Sequence, residues 1–404
     1  MDLQIPFNFT STSLHYDNTK KPAVVLGASV NGLGVIRALG RFKIKVYAFY
    51  KNPGVEIGYN SKYCIPVHYI SEKDLLSKLI TISELEKTNP VLFCSSDEMV
   101  SFVLENNNSL KKIFAYNFGN MNLIQTLLDK SEYNKLLKKY TIPYPRTLYP
   151  KEFISYEKMI KEIESMLFPV LAKPAITFRN AIIEHKKNKV FHKLKDILKF
   201  IKENQESMDE IIFQEIIPHR DEDIYYCTGY SDRQGNIKAL FSVQKLRCYH
   251  PEFGICSFSV SKDLPEVRQL AISYLRKLRF KGLFDIEFIY DKRDSQYKFI
   301  EINPRTTLSN NHSVSCGINI PYITYCDLEG IDYNQSQQQK HGIYWLYFQI
   351  DSGSFYRKLK KKQISIFQWT SSIVKARSFA VWAKDDIKPF FAILYKNLVN
   401  LIGI

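Results

Sequence analysis

Glu287, Glu301 and Asn303 are the residues of this 404-residue chain whose types and spacing best suit metal chemistry. They fall in two apolar runs, KGLFDIEFIY from Lys281 to Tyr290 and YKFIEINPR from Tyr297 to Arg305, separated by a polar turn. That pattern predicts two strands joined as a hairpin. In an antiparallel pair Glu287 and Glu301 lie side by side, and Asn303, two residues further on, shares the face of Glu301. Two carboxylates and an amide oxygen then converge, a hard-oxygen set of the kind Mg²⁺ uses when phosphate oxygens and water complete its shell. Like charges so close repel unless a cation lies between them. A hairpin whose acids face solvent is the plainer alternative, but it does not explain why a carboxylate and an amide interrupt an apolar strand that ends in Pro-Arg.

A second position with chemical content is Lys173, at the end of the apolar strand FPVLAKP (Phe168 to Pro174). A lysine there can pack its stem on the sheet and direct its ammonium at phosphate oxygens. By itself a lysine in such a place is more often a surface residue. A third is the glycine turn near the N-terminus, where the apolar run PAVVLG leads into Ala28-Ser29-Val30-Asn31-Gly32-Leu33-Gly34 and a helical stretch to Arg41. Strand, glycine turn and helix, followed by the runs KVYAFY (45–50) and VLFC (91–94), predict a parallel α/β, Rossmann-like domain. Ser29 stands where a second glycine would let backbone approach a pyrophosphate, and Lys51 ends the second strand where an acid would meet a ribose hydroxyl. A dinucleotide site is therefore not expected, and a turn that only packs strand on helix accounts for the same residues.

These elements sit in a chain long enough for two or three cores. Its 45% apolar and 24% charged residues are those of an ordinary globular protein. The seven cysteines contain no C-x-x-C pair, which offers neither a disulfide framework nor a zinc site and suits a reducing cytoplasm. The first 22 residues lack a basic segment followed by an apolar run and are expected to form a loose tail. No stretch is apolar enough to span a membrane. The net charge of +15 is unevenly placed, because Lys340 to Ile404 holds eleven Lys/Arg against three Asp. Arg357, Lys358 and Lys360 to Lys362 precede Ile364, Ile366, Phe367 and Trp369. A solvated helix face is the plain expectation, with contact to anionic lipid as the alternative. No nucleic-acid module accompanies the charge.

Read together, EINPR at Glu301 to Arg305 and GLFDIEF at Gly282 to Phe288 resemble the metal-binding strands of the ATP-grasp superfamily. Ile212 to Pro218 (IFQEIIP) resembles the hinge on which that family lays adenine. The resemblance implies nucleotide contacts at Gln214, Glu215 and Ile217, a ribose-binding acid at Asp223 within Asp221-Glu222-Asp223, and two phosphate-contacting lysines at Lys130 and Lys173. Lys245-Leu246-Arg247 matches a basic pair that in carboxylate-amine ligases faces the reacting phosphate and acyl group. The stretch Lys245 to Phe258 looks like the ligases related to D-aspartate ligase. The implied fold is α/β, with an N-terminal tail (1–20), a Rossmann-like domain (21–125), an ATP-grasp domain of two α+β lobes (126–330) and a basic, mainly helical C-terminal extension (331–404). A helix is expected from near Thr126 to Tyr140. The sequence departs from the family in lacking glycines after Lys173, from Pro174 to Asn180, and in His219-Arg220 after the hinge.

By resemblance, the activity is ATP-dependent joining of a carboxylate to an amine through an acylphosphate. Mg²⁺ or Mn²⁺ would sit on Glu287, Glu301 and Asn303, Lys130 and Lys173 would hold the triphosphate, and Lys245, Arg247 and Arg305 would face the transferring phosphoryl group and the carboxylate. His250 and His312 lie near these motifs in sequence and are candidates to accept a proton from the amine, but a loop histidine is more often a polar surface residue, and both are left outside the catalytic set. Small-molecule carboxylate and amine substrates and a homodimer are the partners so implied; the cysteines point to the cytoplasm, and the basic C-terminal cluster to peripheral contact with the inner face of the membrane, which suits a cell-envelope precursor as substrate. An ATP-binding regulatory protein without turnover is the alternative, and an NAD(P)-linked oxidoreductase is disfavoured by Ser29 and Lys51.

Overall fold

A computed structural model of the chain describes residues 16–176, 188–249, 254–333 and 338–402. The chain divides into two compact units, the first comprising residues 1–116, 305–338 and 377–404 and the second 117–304 and 339–376. The stretch after residue 330, expected to form one C-terminal extension, is shared between the units.

The first unit is built on a parallel sheet of order β3-β2-β1-β4, with β1 Ala23–Leu26, β2 Val46–Tyr50, β3 Ile65–His68 and β4 Val91–Cys94. Every residue of β1 and β4 is buried, as parallel strands covered on both faces require. The helix Val30–Gly40 is buried along its whole length. Its glycines explain why: a Cβ on Gly32 would lie 2.0 Å from the Gly27 carbonyl oxygen, and one on Gly34 would lie 2.7 Å from Asn310 Cβ. Close packing, rather than ligand approach, thus fixes these glycines. Two buried polar clusters hold the later segments in this unit. Arg37 donates to Asp386 Oδ2 (2.9 Å) and to the Val381 and Asp386 carbonyls. Asn31 donates to the Ser95 and Thr306 carbonyls (2.7 and 2.8 Å) and accepts from Thr306 and Asn310.

The second unit contains two antiparallel sheets. The smaller has order β5-β8-β6-β7, from β5 Thr147–Leu148, β6 Val170–Pro174, β7 Lys189–Phe191 and β8 Ile211–Glu215. The helices Tyr156–Glu164 and Leu194–Glu203 bury Met159, Ile163, Ile197 and Phe200 against Val170, Ala172 and Phe213. Of the strands in the larger sheet, six lie in this unit, in the order β13-β12-β9-β10-β11-β14. They are β9 Ile224–Ser231, β10 Ile237–Tyr249, β11 Ile255–Ser261, β12 Gly282–Asp291, β13 Gln296–Asn303 and β14 Tyr344–Leu346. The helices Phe348–Lys360 and Ile366–Lys375 follow β14.

The expected single helix from Thr126 to Tyr140 is two. Asp129 adopts extended backbone and caps the second, its Oδ1 accepting from the Ser131 N–H (2.9 Å) and hydroxyl (2.6 Å). Lys130 therefore opens the helix Lys130–Lys139, and its own N–H donates to the Ala175 carbonyl (2.9 Å) just beyond β6.

Candidate active site

Strands β12 and β13 pair antiparallel with Glu287 opposite Glu301 and Asp285 opposite Asn303, the arrangement that the hairpin pattern predicts. Asn303 Nδ2 donates to Glu301 Oε1 (3.3 Å), so its amide oxygen is turned away from that contact. Lys245 on β10 places its Nζ 2.5 Å from Glu287 Oε2. Strand β9 lies between β10 and β12 in the sheet order, so the pair reaches across one strand.

Lys173 on β6 is 8% exposed, and its Nζ donates to Gln214 Oε1 (2.9 Å) on β8, whose Nε2 donates to Thr147 Oγ1 (2.8 Å) on β5. Three strands of the smaller sheet thus fix one ammonium in place. Burial, reinforced by neighbouring Lys130 and opposed by Glu301 and Glu287, pushes the Lys173 pKa down to about 7. Glu301 goes the other way from what burial dictates: Lys130 and Lys173 hold its carboxyl below the usual range. Glu287 is raised by burial and by Glu301, with Lys245 opposing. Lys130, Lys173 and Lys245 are therefore gathered electrostatically around two carboxylates.

Among the described residues no group of three or more His, Cys, Asp or Glu is placed to hold a metal. The donor set here is two carboxylates and one amide oxygen, all hard, and it fits a divalent cation that takes its remaining ligands from phosphate and water. Lys245 meets Glu287 through Oε2, which sets an ammonium beside a carboxylate that such a cation would use.

The hinge residues divide by role. Glu215 is engaged within the smaller sheet, its Oε1 accepting from the Leu167 N–H (2.9 Å) and its own N–H donating to the Arg146 carbonyl. Its side chain is thus structural. Ile217 is 2% exposed and packs with Ile224, Cys248 and Ile289, with Ile300 alongside. The Ile217 N–H, by contrast, donates no hydrogen bond among the described residues. Asp223 Oδ2 accepts from the Arg220 N–H (2.9 Å) and Lys292 Nζ (2.6 Å). Burial raises its pKa, but these two donors outweigh that and the net shift is downward.

Of the expected reacting-group contacts, Arg247 is committed to packing. Arg247 is two residues from Lys245, but a register shift between them gives the two cations different neighbours. The Arg247 guanidinium forms a two-pronged pair with Asp351 (2.9 and 2.9 Å), donates to Ser372 Oγ and stacks on Phe258 at 4.2 Å. Asp351 also accepts from Ser257 Oγ (2.7 Å) and Trp369 Nε1 (2.8 Å). Arg247 is thus a buried anchor for the C-terminal helices and not a residue free to face a phosphoryl group. Arg305 belongs to the first unit, where its Nε donates to Asp97 Oδ1 (2.6 Å). His312 is 0% exposed within the helix Asn310–Ser315, a correction to its reading as a surface residue. Thr177 to Asn180 of the glycine-poor stretch, and His250, lie outside the described residues.

In the first unit the glycine turn has no anion to recruit. Glu56 accepts from the Ala28 N–H through Oε1 (3.0 Å) and from the Lys51 and Asn52 N–H groups through Oε2 (2.7 and 2.9 Å). The chain's own carboxylate occupies the amides at the ends of β1 and β2, a feature that nothing in the turn sequence announced.

Residues 258–323 match the family described as carbamoyl-phosphate synthase L chain, ATP binding domain. The D-aspartate ligase of Enterococcus faecium is 23% identical over 57% of this chain and 56% of its own, so the chain spans about half the length of that curated relative. Among solved structures, the biotin carboxylase domain of Hydrogenobacter thermophilus 2-oxoglutarate carboxylase, determined with MgADP, ADP and bicarbonate, aligns with a TM-score of 0.58 at 16% identity over 80% of this chain and 74% of that one. The N5-carboxyaminoimidazole synthetase of Staphylococcus aureus, determined with ADP, aligns with a TM-score of 0.59 at 15% identity over 81% of this chain and 83% of that one. At such identities the likeness establishes the fold.

Proposed function

We propose that this chain, a protein of the ATP-grasp fold with a Rossmann-like unit, is an ATP-dependent ligase that joins a carboxylate to an amine. The observation that carries the reading is the register-paired Glu287 and Glu301 with Asn303, met by Lys130, Lys173 and Lys245 from three separate elements. Such a cluster suits a triphosphate with its divalent cation, the carboxylates taking the metal and the lysines the phosphate oxygens. When bound, Mg²⁺ supplies charge neutralisation on the phosphate oxygens.

In the reaction a substrate carboxylate oxygen attacks the γ-phosphorus; a C(O)O–P bond forms and the bond from the γ-phosphorus to the ADP oxygen breaks. The amine then attacks the acyl carbon, the C–N bond forms, phosphate leaves and the amine gives up a proton. No side-chain nucleophile is needed, so the residues act by position and charge. Lys173 is locked by Gln214 and Thr147, which removes the entropic cost of ordering a long side chain as phosphate binds. Lys245, held at Glu287 beside the residues that would hold the cation, would neutralise charge on the transferring group. The Ile217 N–H and the apolar set Ile217, Ile224, Cys248, Ile289 and Ile300 suit a purine base, with Asp223 at the sugar.

ADP release from Mg-ATP, measured against amino acids paired with amine acceptors and including peptidoglycan-type precursors, tests this reading. Release that requires both a carboxylate and an amine supports it; ATP binding with no release across the panel contradicts it. The latter result is the one expected of a nucleotide-binding regulator, a reading favoured by the engagement of Arg247 with Asp351.

The envelope-precursor and membrane reading rests on the helix pair after β14. Arg357 stacks on Tyr249 and Lys358 pairs with Asp221 (2.7 Å), which leaves Lys360 to Lys362 exposed beside Ile366 (62% exposed) and Phe367 (81%). Exposed lysines next to exposed apolar residues suit an anionic bilayer surface. Among the described residues no helix is long and apolar enough to cross a membrane. Sedimentation with phosphatidylglycerol vesicles should fall in a Phe367→Ser, Ile366→Ser protein; equal sedimentation of both proteins removes the membrane reading. A homodimer, implied by the same resemblance, is checked by sedimentation velocity.

A further inference from the structure

Cys248, near the end of β10, and Cys256, near the start of β11, stand directly opposite each other in the antiparallel ladder. The Cys248 N–H donates to Asp221 Oδ2 (3.0 Å) and its carbonyl accepts from Ser354 Oγ (2.8 Å). With that N–H spent away from β11, the pair is of the non-hydrogen-bonded kind, in which the Cα atoms approach to about 4.5 Å and the side chains are closest. A disulfide spans about 4.4–6.8 Å between Cα atoms, so this separation admits one. Register shifts between Lys245 and Arg247 and between Arg247 and Cys248 break the regular ladder here, which eases the adjustment that closure needs. Both thiols act on the charge of Lys245, and Cys256 acts on that of Cys248, so the two sulfurs share one neighbourhood with that lysine.

The ligation chemistry uses neither thiol. Cys248 nevertheless packs with Ile217, Ile224 and Ile289, the apolar set suited to a purine base. We propose that Cys248 and Cys256 are a dithiol that closes to a reversible disulfide, and that closure weakens nucleotide binding by drawing the Cys248 sulfur from the apolar set towards β11. The effect on binding rests on the nucleotide reading of the site; the bridge itself does not. The oxidant is a low-molecular-weight disulfide, RSSR. Cys256, the more exposed of the two (9% against 2%), attacks one sulfur as its thiolate; an S–S bond forms and RSH leaves with the proton. Cys248 then attacks the Cys256 sulfur and displaces the second RSH, so two thiols are oxidised and one disulfide is reduced. Burial raises the pKa of both thiols, Cys256 to about 12, with Asp221 and Glu287 reinforcing it and Lys245 opposing. Little thiolate is present at neutral pH, so closure is slow and answers sustained oxidation, as suits a bridge formed in a reducing compartment.

The test is incubation of the full chain with oxidised glutathione, then alkylation of the remaining thiols and peptide mass spectrometry. Every cysteine except Cys248 and Cys256 should be alkylated, with these two joined in one peptide pair that dithiothreitol separates. Calorimetric titration of Mg-ATP into the bridged protein should give an affinity about tenfold weaker, the scale of one methylene-sized contact in an apolar pocket, and dithiothreitol should restore it. Cys256→Ser should bind Mg-ATP as the reduced wild-type protein does and keep that affinity after oxidised glutathione. Cys256→Ala replaces it if the serine protein does not fold. Full alkylation, a bridge between other cysteines, or glutathione retained on Cys256 overturns the inference, and so does a bridged protein of unchanged affinity. Failure of the reduced wild-type protein to bind ATP at all strikes instead at the nucleotide reading, while the mass spectrum still decides the bridge.

Discussion

The glycine turn of the first unit and the β12–β13 hairpin of the second are the two places where the sequence most resembles a phosphate site, and they treat charge in opposite ways. At the turn, Glu56 takes the Ala28, Lys51 and Asn52 amides, so an entering anion would meet a carboxylate in its place. At the hairpin, two carboxylates are met by three lysines, and Lys173 is so poorly placed for a bare charge that its pKa falls to about 7. The turn is complete without a ligand; the hairpin gathers buried charges of both signs, which suits an anion and a cation bound together. A binding site is thus recognised less by its motif than by whether the chain already supplies the counter-charge.

The comparison is broken most severely by removing one charge at the hairpin. Glu301→Gln should lower ADP release by about a hundredfold to a thousandfold with the fold intact, judged by an unchanged thermal melt. Arg247→Met should act on stability rather than on chemistry, because it strands the buried Asp351 without its partner: about 3–5 kcal/mol in urea unfolding, with Asp351→Leu in the same chain recovering much of the loss. A smaller effect is expected from pH. Lys173 has its folded pKa at about 7, below its ordinary value, and ATP prefers the protonated form, so affinity should fall as pH rises above about 7, by at most about tenfold per unit, while Lys173→Met gives a flat profile. The folding sign follows from the same shift: between pH 7 and the ordinary lysine range the unfolded chain binds the extra proton, so this group makes the protein more stable as pH rises through that window. The smallest effect sharpens the other side of the comparison. Glu56→Ala leaves three amides without their acceptor and should cost about 1–3 kcal/mol of stability, while NADH titration of wild-type protein gives no change in nicotinamide fluorescence.

What could be read from the sequence was local and periodic. Glu287, Glu301 and Asn303 follow from strand alternation alone, and Lys173 from its place at the end of an apolar strand. What could not be read depended on residues far apart in the chain or on a single break in period. Arg247 shares a strand with Lys245, yet the register shift between them and an aspartate 104 residues later assign it to packing. Asp129 reads as one more polar residue in a helix until its cap divides the helix in two and sets Lys130 at the start of the second. The residues after 330 show a strong basic bias, but nothing in that bias indicates that β14 joins the larger sheet or that Arg37 buries Asp386.

The central claim is that the hairpin carboxylates and the three lysines together form a site for a metal-bound triphosphate. Calorimetric titration of ATP with and without Mg²⁺, in wild-type and Glu301→Gln proteins, tests it most directly. The account predicts that wild-type affinity depends on the cation and that the substitution removes most of that dependence. ATP binding that is equally tight without a divalent cation, or cation dependence that is unchanged in Glu301→Gln, would contradict it.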